Sequence, residues 1–257
     1  MVGTDEKMVP SVRRALGIFE ILASSKKGLT LSQIARSAGV ARSSAFYILN
    51  TLEECGYVHR NSSRGRYTFT SKLFDLANRS MIGLGVREHA TPFLRKLAQQ
   101  TGLTAHLAMI SQDELVLIDR VAPAGQQQLP TWIGKRLPIH CTGTGKALMA
   151  YMPEEQLHHH FQQGFIRYNE NTIVSAVKLR EELAKTRANG YAFDDEEETI
   201  GLRCIGAPVF GDDDLAVAAV SVAGTTAQIN EETLKSLSEE VMRTAESISS
   251  SLRGSKS

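Results

Sequence analysis

The stretch LTLSQIARSAGVARSSAFYILNTLEECGYV, residues 29–58, decides the fold of the first part of this chain. Thr30-x-x-Gln33 is a capping box, in which each side chain satisfies a backbone amide of the other, so a helix starts at Leu31. Gly39 stands where a helix C-terminus wants a left-handed residue. A second helix then runs from about Ala41 to Glu54, and Gly56 stops it. Ala45, Ile48, Leu49 and Leu52 repeat at helical spacing and form its buried stripe. At about 100° per residue, Ser43, Tyr47, Asn50 and Glu54 face the other way, with Phe46 beside them.

Working outward, Val12–Leu22 carries Ala15, Leu16, Ile18, Phe19 and Leu22 at helical spacing. Downstream, residues 57–60 and 66–70 are short β-prone runs around Asn-Ser-Ser-Arg-Gly, which reads as a hairpin. Helix, helix, glycine turn, helix, hairpin is the layout of a winged helix-turn-helix, the arrangement that places a recognition helix in a major groove. The charge agrees. Residues 1–70 hold 10 Lys+Arg against 5 Asp+Glu, while the whole chain has a net charge of only +1. A basic first quarter on an acidic remainder suits an anionic partner.

The residues that would meet double-stranded DNA follow from these positions. Arg42, Ser43 and Ser44 open the third helix, where amides and hydroxyls suit phosphates. Phe46 and Tyr47 suit a thymine methyl or a sugar edge, and Asn50 suits adenine. His59, Arg60, Arg64 and Arg66 sit on the wing. The competing interpretation is a winged helix used only for protein contacts.

The remaining residues mix helices and strands. Residues 71–87 form a helical connector interrupted by Gly83 and Gly85. Strands are expected over 103–110, 115–121, 204–210 and 216–222, with a short one at Ala192-Phe193. Residues 123–130 form a Gly/Gln-rich loop. Helices are expected over 145–151, 177–188 and 230–252, the last with Leu234, Leu237, Val241, Ala245 and Ile248 on one stripe. The expected class is α+β: an N-terminal winged helix-turn-helix over 8–70, a linker helix over 71–88, and a C-terminal domain with an antiparallel sheet over 89–254.

Composition excludes several classes. With 257 residues, 42% hydrophobic and 22% charged, the chain offsets its chain entropy and folds. No run of 18 apolar residues exists for a membrane span, and MVGTDEKMVP lacks the order of a secretory signal. Cys55, Cys141 and Cys204 are sparse and in no metal spacing, which reads as a reduced, cytoplasmic chain without a cofactor or metal.

Three motifs invite chemistry. LPIHCTGTGKALMA, residues 137–150, contains Gly-Lys but fails as a phosphate loop: the first glycine would fall at His140, and Ala147 follows the lysine where Ser or Thr is needed. It reads instead as a Gly-rich turn with amides near Gly143, Thr144 and Gly145 for an anion. The run Asp194-Asp195-Glu196-Glu197-Glu198 precedes a strand carrying Cys204, an arrangement that lets one acid turn inward. His158-His159-His160 are splayed about 100° apart on a helix and read as surface histidines. Cys204 with His140 is the thiol nucleophile and base of the competing hydrolase interpretation, although nothing around Cys204 has a catalytic signature.

The segments VPSVRRALGIFEIL, residues 29–58, LPIHCTGTGKALMA, GYAFDDEEETIGLRCIGAPVF and AAVSVAG, in this order, resemble bacterial transcriptional regulators of the IclR family nearly end to end. The resemblance implies a winged helix-turn-helix, a linker helix and a GAF-like effector-binding domain. It implies homodimers or homotetramers on palindromic operators, most of them repressors, with activators as the alternative. It also implies a small organic-acid or aromatic effector held at Gly143, Thr144, Asp195, Cys204 and Ser221. Two departures stand out: Ala223 replaces a family serine, and Phe46-Tyr47 replace a frequent histidine-arginine pair.

Overall fold

The computed structural model describes residues 9–25, 27–61, 64–73, 75–76, 84–125, 129–211 and 215–254. Parts of three expected features lie outside these residues: Ser62 and Ser63 of the hairpin turn, Phe74 and residues 77–83 of the connector, and residues 126–128 of the Gly/Gln-rich loop. The chain divides into two compact units, Met1–Met81 and Ile82–Ser257.

In the first unit, α1 (Pro10–Ala23) is followed by β1 (Leu29–Thr30), α2 (Leu31–Ser37), α3 (Arg42–Glu54), β2 (Val58–Asn61) and β3 (Arg66–Phe69). Thr30 caps α2 with both halves of the capping box formed. Gly39 carries φ 63°, a conformation that strains any side chain with a Cβ, and turns the chain into α3. One face of each helix closes the core. Ile18 and Leu22, Ile34, Ala45, Leu49 and Leu52 are buried together with Val58 and Tyr67. Phe19 stacks on Phe69, with ring centroids 5.4 Å apart. The strands form an antiparallel sheet in the order β1-β3-β2, with Arg60 opposite Tyr67.

In the second unit, α4 (Leu84–Thr101), β4 (Thr104–Ser111), β5 (Glu114–Val121) and β6 (Arg136–Leu137) lead to α5 (Gly143–Met149), α6 (Glu154–Gln163) and α7 (Ala176–Asn189). Then come β7 (Ala192–Asp195), β8 (Leu202–Phe210), β9 (Ala216–Thr225) and α8 (Glu231–Gly254). The six strands form one antiparallel sheet in the order β6-β5-β4-β9-β8-β7, so the α+β expectation holds.

Side chains alternate across a sheet. Leu107, Val220, Val222 and Ile205 pack with Leu94 and Leu97 of α4 and with Val241, Ala245 and Ile248 of α8. On the intervening positions, Ala108 and Ala219 pack with Ala147 and Leu148 of α5. A cavity opens beyond this second cluster, on the side of the sheet that carries His106, Ser221 and Ala223.

The expected helix at 145–151 starts two residues earlier, because the Thr142 side chain accepts the Gly145 amide and caps it. Of the three histidines of α6, His158 and His159 are exposed, with each Nε2 2.9 Å from a glutamine amide four residues on. His160 is buried, which corrects the expectation of three surface side chains. Helical splay sends the third ring towards the interior while the first two face water.

Candidate nucleic-acid interface and effector cavity

On α3 the side opposite the buried stripe is presented to solvent. Tyr47 is 71% exposed and Phe46 38%, their rings edge-on at 5.8 Å. Large apolar surface left in water is unfavourable unless a partner covers it. Arg42 and Ser43 are exposed in the first turn, with Ser44 and Asn50 half-buried. On the wing, His59, Arg60 and Arg64 are exposed. The Arg60 guanidinium lies 5.8 Å from the Tyr67 ring centroid, and Glu53 accepts the Arg60 amide at 2.8 Å while sitting 3.8 Å from His59. Arg66 differs from the other three: its Nη1 donates to the Gly28 carbonyl at 2.7 Å, tying β3 to the turn before β1.

In the second unit the cavity has a volume of about 80 Å³. Thr142 and Thr144 of the Gly-rich turn line it with Asp194, Cys204 and Ser221. His106, Thr131, Lys135, Glu198, Thr199 and Arg203 complete its polar wall, and Leu137, Leu202 and Ala223 are among its apolar members. Of the five residues anticipated from the sequence, Thr144, Cys204 and Ser221 are brought together here.

The other two are not. Asp195 is exposed and salt-bridged to Arg203 at 2.7 Å, while its neighbour Asp194 is buried in the cavity wall. Successive strand residues point to opposite faces, so one step along β7 exchanges the inward and outward carboxyl. Gly143 lies behind the wall, against β8: a Cβ there would sit 3.0 Å from Cys204 Sγ. Gly145 is packed so closely that a Cβ would fall 2.0 Å from the Ile139 carbonyl oxygen. Its amide is already used by the Thr142 cap.

The polar wall is only partly satisfied. Ser221 Oγ is buried and makes no hydrogen bond of normal geometry, and its contact with Cys204 is a weak one to sulfur. Burial leaves His106 neutral, its pKa lowered to about 3, with Arg120 and Lys135 adding to the effect. His106 Nε2 is 3.0 Å from the Thr131 hydroxyl, which also accepts from Arg120 Nε at 2.9 Å. Burial raises Asp194 to about 7, against the Glu197 amide that it accepts at 2.9 Å and the nearby Lys146 charge. Lys135 lies 3.7 Å from Glu198 and 5.5 Å from the Trp132 ring centroid.

Lys146, the lysine of Gly-Lys, is fully buried and points away from any phosphate role. It pairs with Glu197, sits 3.6 Å from Glu182 and donates to the Phe193 carbonyl. It fastens α5 to the acidic run.

The hydrolase arrangement is not assembled. Cys204 is pushed up to about 12, first by burial and then by Asp194, which keeps it a neutral thiol. His140 is not among the residues lining the cavity, and its Nε2 lies 3.0 Å from the Ile166 carbonyl oxygen. Among the described residues no group of three metal-ligating side chains occurs. No helix among them is long and apolar enough to cross a membrane.

A winged helix-turn-helix in one unit and a small cavity walled by a buried, unpartnered hydroxyl in the other define a DNA-binding regulator with an internal chamber. Residues 11–62 match the model of the IclR helix-turn-helix domain, and residues 79–250 match that of the bacterial transcriptional regulator IclR C-terminal domain. The chain belongs to the IclR family of bacterial transcriptional regulators, a family of regulators rather than enzymes. It is 31% identical over 246 residues to the transcriptional repressor IclR of Escherichia coli K12, covering 93% of this chain and 89% of the relative. It is 30% identical over 254 residues to the acetate operon repressor of Salmonella typhimurium LT2, covering 96% and 92%. The crystal structure of the Thermotoga maritima IclR superposes with a TM-score of 0.83 at 29% identity, over 94% of this chain and 98% of that one.

His106, Thr131, Lys135 and Arg203 escaped the sequence reading. Only His106 left a signal, as a ring in the apolar strand TAHLAMI; the others come from loops or from the far side of a turn.

Proposed function

We propose that this chain is a cytoplasmic, sequence-specific repressor whose hold on a palindromic operator is released by a small organic acid bound in the second unit. Residues 8–70 read the DNA, 71–88 link, and 89–254 sense the acid. Arg42, Ser43 and Ser44 meet phosphate, Phe46, Tyr47 and Asn50 meet base edges, and His59, Arg60 and Arg64 reach the backbone from the wing. In the cavity, Thr144, Ser221 and Asp194 hold the ligand's polar end beside Cys204. Both curated relatives described above are named repressors, which supports this sign of regulation over activation.

The observation that carries the effector reading is the Ser221 hydroxyl, buried at the cavity wall with no hydrogen bond of normal geometry. A buried hydroxyl left without a partner costs about 1–3 kcal/mol, which a ligand acceptor would recover. Asp194, whose pKa burial raises to about 7, is about half protonated near pH 7, and its protonated form donates a hydrogen bond to a carboxylate rather than repelling it.

A ligand shifts a regulator only by its differential affinity for the two states. Ser221→Ala and Asp194→Ala should therefore bind operator as the wild type does but need at least tenfold more acid to release it, measured by gel shift across an acid titration. Release at the wild-type concentration in both variants would move the ligand elsewhere.

A further inference from the structure

Phe46 and Tyr47 hold their rings edge-on, both exposed, in the middle of α3. Ser43, Tyr47 and Asn50 follow one another at i, i+4 and i+7, so Tyr47 stands at the centre of the outward face with Phe46 beside it.

We propose that this aromatic pair reads the C5-methyl groups of two successive thymines, so that each operator half-site centres on adjacent A·T base pairs. This rests on the assignment of α3 as the recognition helix and extends it to the class of sequence recognised.

Charge identifies the partner as a polyanion. Residues 9–52 hold six Lys+Arg, namely Arg13, Arg14, Lys26, Lys27, Arg36 and Arg42, against one acid, Glu20. An apolar patch on so basic a surface suits a duplex, which is rimmed by phosphates and presents thymine methyls in its major groove.

The other base edges are poorly served by this helix. Guanine is read best by a bidentate arginine or lysine, and after Arg42 in its first turn α3 carries neither. Cytosine offers an amino group that a carboxylate would accept. The Glu53 carboxylate is turned to the wing, where it accepts the Arg60 amide at 2.8 Å and lies 3.8 Å from His59. Glu54 is the last residue of α3, about two turns beyond Tyr47. Thr51 donates its hydroxyl to the Tyr47 carbonyl at 3.0 Å, which spends its polar group on the helix backbone. What mid-helix offers a base is aromatic surface, which suits a thymine methyl, and the Asn50 amide, which suits adenine. Spacing agrees with chemistry. The two ring centroids are 5.8 Å apart, more than one base step of ~3.4 Å and less than two, so the pair spans neighbouring base pairs.

The test starts from the duplex that the full-length protein enriches out of a random-sequence pool, which should carry adjacent thymines in each half-site. Deoxyuridine in their place removes only the methyl groups and keeps every hydrogen bond of the A·T pair. Each replacement should weaken binding about fourfold, and one in each half-site about sixteenfold, measured by fluorescence anisotropy. Phe46→Ala and Tyr47→Ala should each erase the preference for thymine over deoxyuridine at one of the two positions, whereas Tyr47→Phe, which keeps the ring, should retain it. The preference is a ratio measured on one protein sample, so a loss of stability in a variant does not mimic it. Wild-type binding that is indifferent to deoxyuridine, or enriched half-sites without adjacent thymines, would overturn the methyl reading, and α3 would remain the recognition helix if Asn50→Ala still impaired operator preference. Unchanged operator preference in Phe46→Ala, Tyr47→Ala and Asn50→Ala would overturn both.

Discussion

Asp194 and Asp195 are chemically identical and adjacent, yet the pleat of β7 sends one into the cavity wall and the other to Arg203 on the surface. The buried carboxyl has a folded-state pKa of about 7, raised above its ordinary range by burial. Between that range and about 7 the folded chain therefore holds a proton that the unfolded chain has lost, and stability falls as pH rises through this window. His106 works in the opposite sense. Its pKa is lowered to about 3, so acid below its ordinary value destabilises the fold. The Asp194 contribution is isolated by difference: the thermal midpoint of Asp194→Asn minus that of wild type should climb from pH 4 to pH 7 and level off above. A difference independent of pH would mean that Asp194 stays ionised in the fold.

The DNA face is also argued residue by residue. Tyr47→Ala and Asn50→Ala should weaken operator binding more than non-specific binding, because base edges carry the sequence information. Arg64→Ala should weaken both and reduce the slope of log affinity against log salt by about 0.9, one phosphate contact. Arg66→Ala is a poorer probe, because it also breaks the bond to the Gly28 carbonyl. Unchanged operator affinity in both α3 variants would remove α3 as the recognition helix.

Among the elements, α5 shows how a motif read as anion-binding serves a packing role. Its lysine is buried against Glu197, and its second glycine lies against the Ile139 backbone. Removing one partner of a buried ion pair leaves the other uncompensated and costs about 3–5 kcal/mol, whereas replacing both with apolar residues of similar volume costs far less. Lys146→Ala should thus lower stability in urea by that amount. The double variant Lys146→Met with Glu197→Leu should recover most of it, and equal losses in the two would show that the pair is not coupled. The helices of the first unit were more legible. The capping box at Thr30, the glycine at 39 and the stripe of α3 depend on neighbours within a few residues, and all three stand in the structure. The cavity was less so, because Thr131, Lys135 and Arg203 reach it from segments 25–97 positions away from His106.

At the scale of the whole molecule, one winged helix reads one half-site, so useful affinity calls for at least two copies on half-sites a whole number of turns apart, ~34 Å per turn. Inserting 5 base pairs between half-sites, about half a turn, should abolish tight binding, and inserting ten should restore much of it. Sedimentation as a pure monomer at concentrations that shift operator DNA would contradict this arrangement.

The sequence by itself determined the order of the elements, the basic winged helix and the family, because periodicity, caps and turn residues act over a few positions and survive in one dimension. Tertiary structure alone decided that Asp194 and Glu198 of the run 194–198 face the cavity, that Lys146 is a buried counter-charge, and that His106 and Thr131 stand beside Ser221. A strand's side chains alternate with period two, so a shift of one residue exchanges its two faces, and strand register is set by partners far away in sequence.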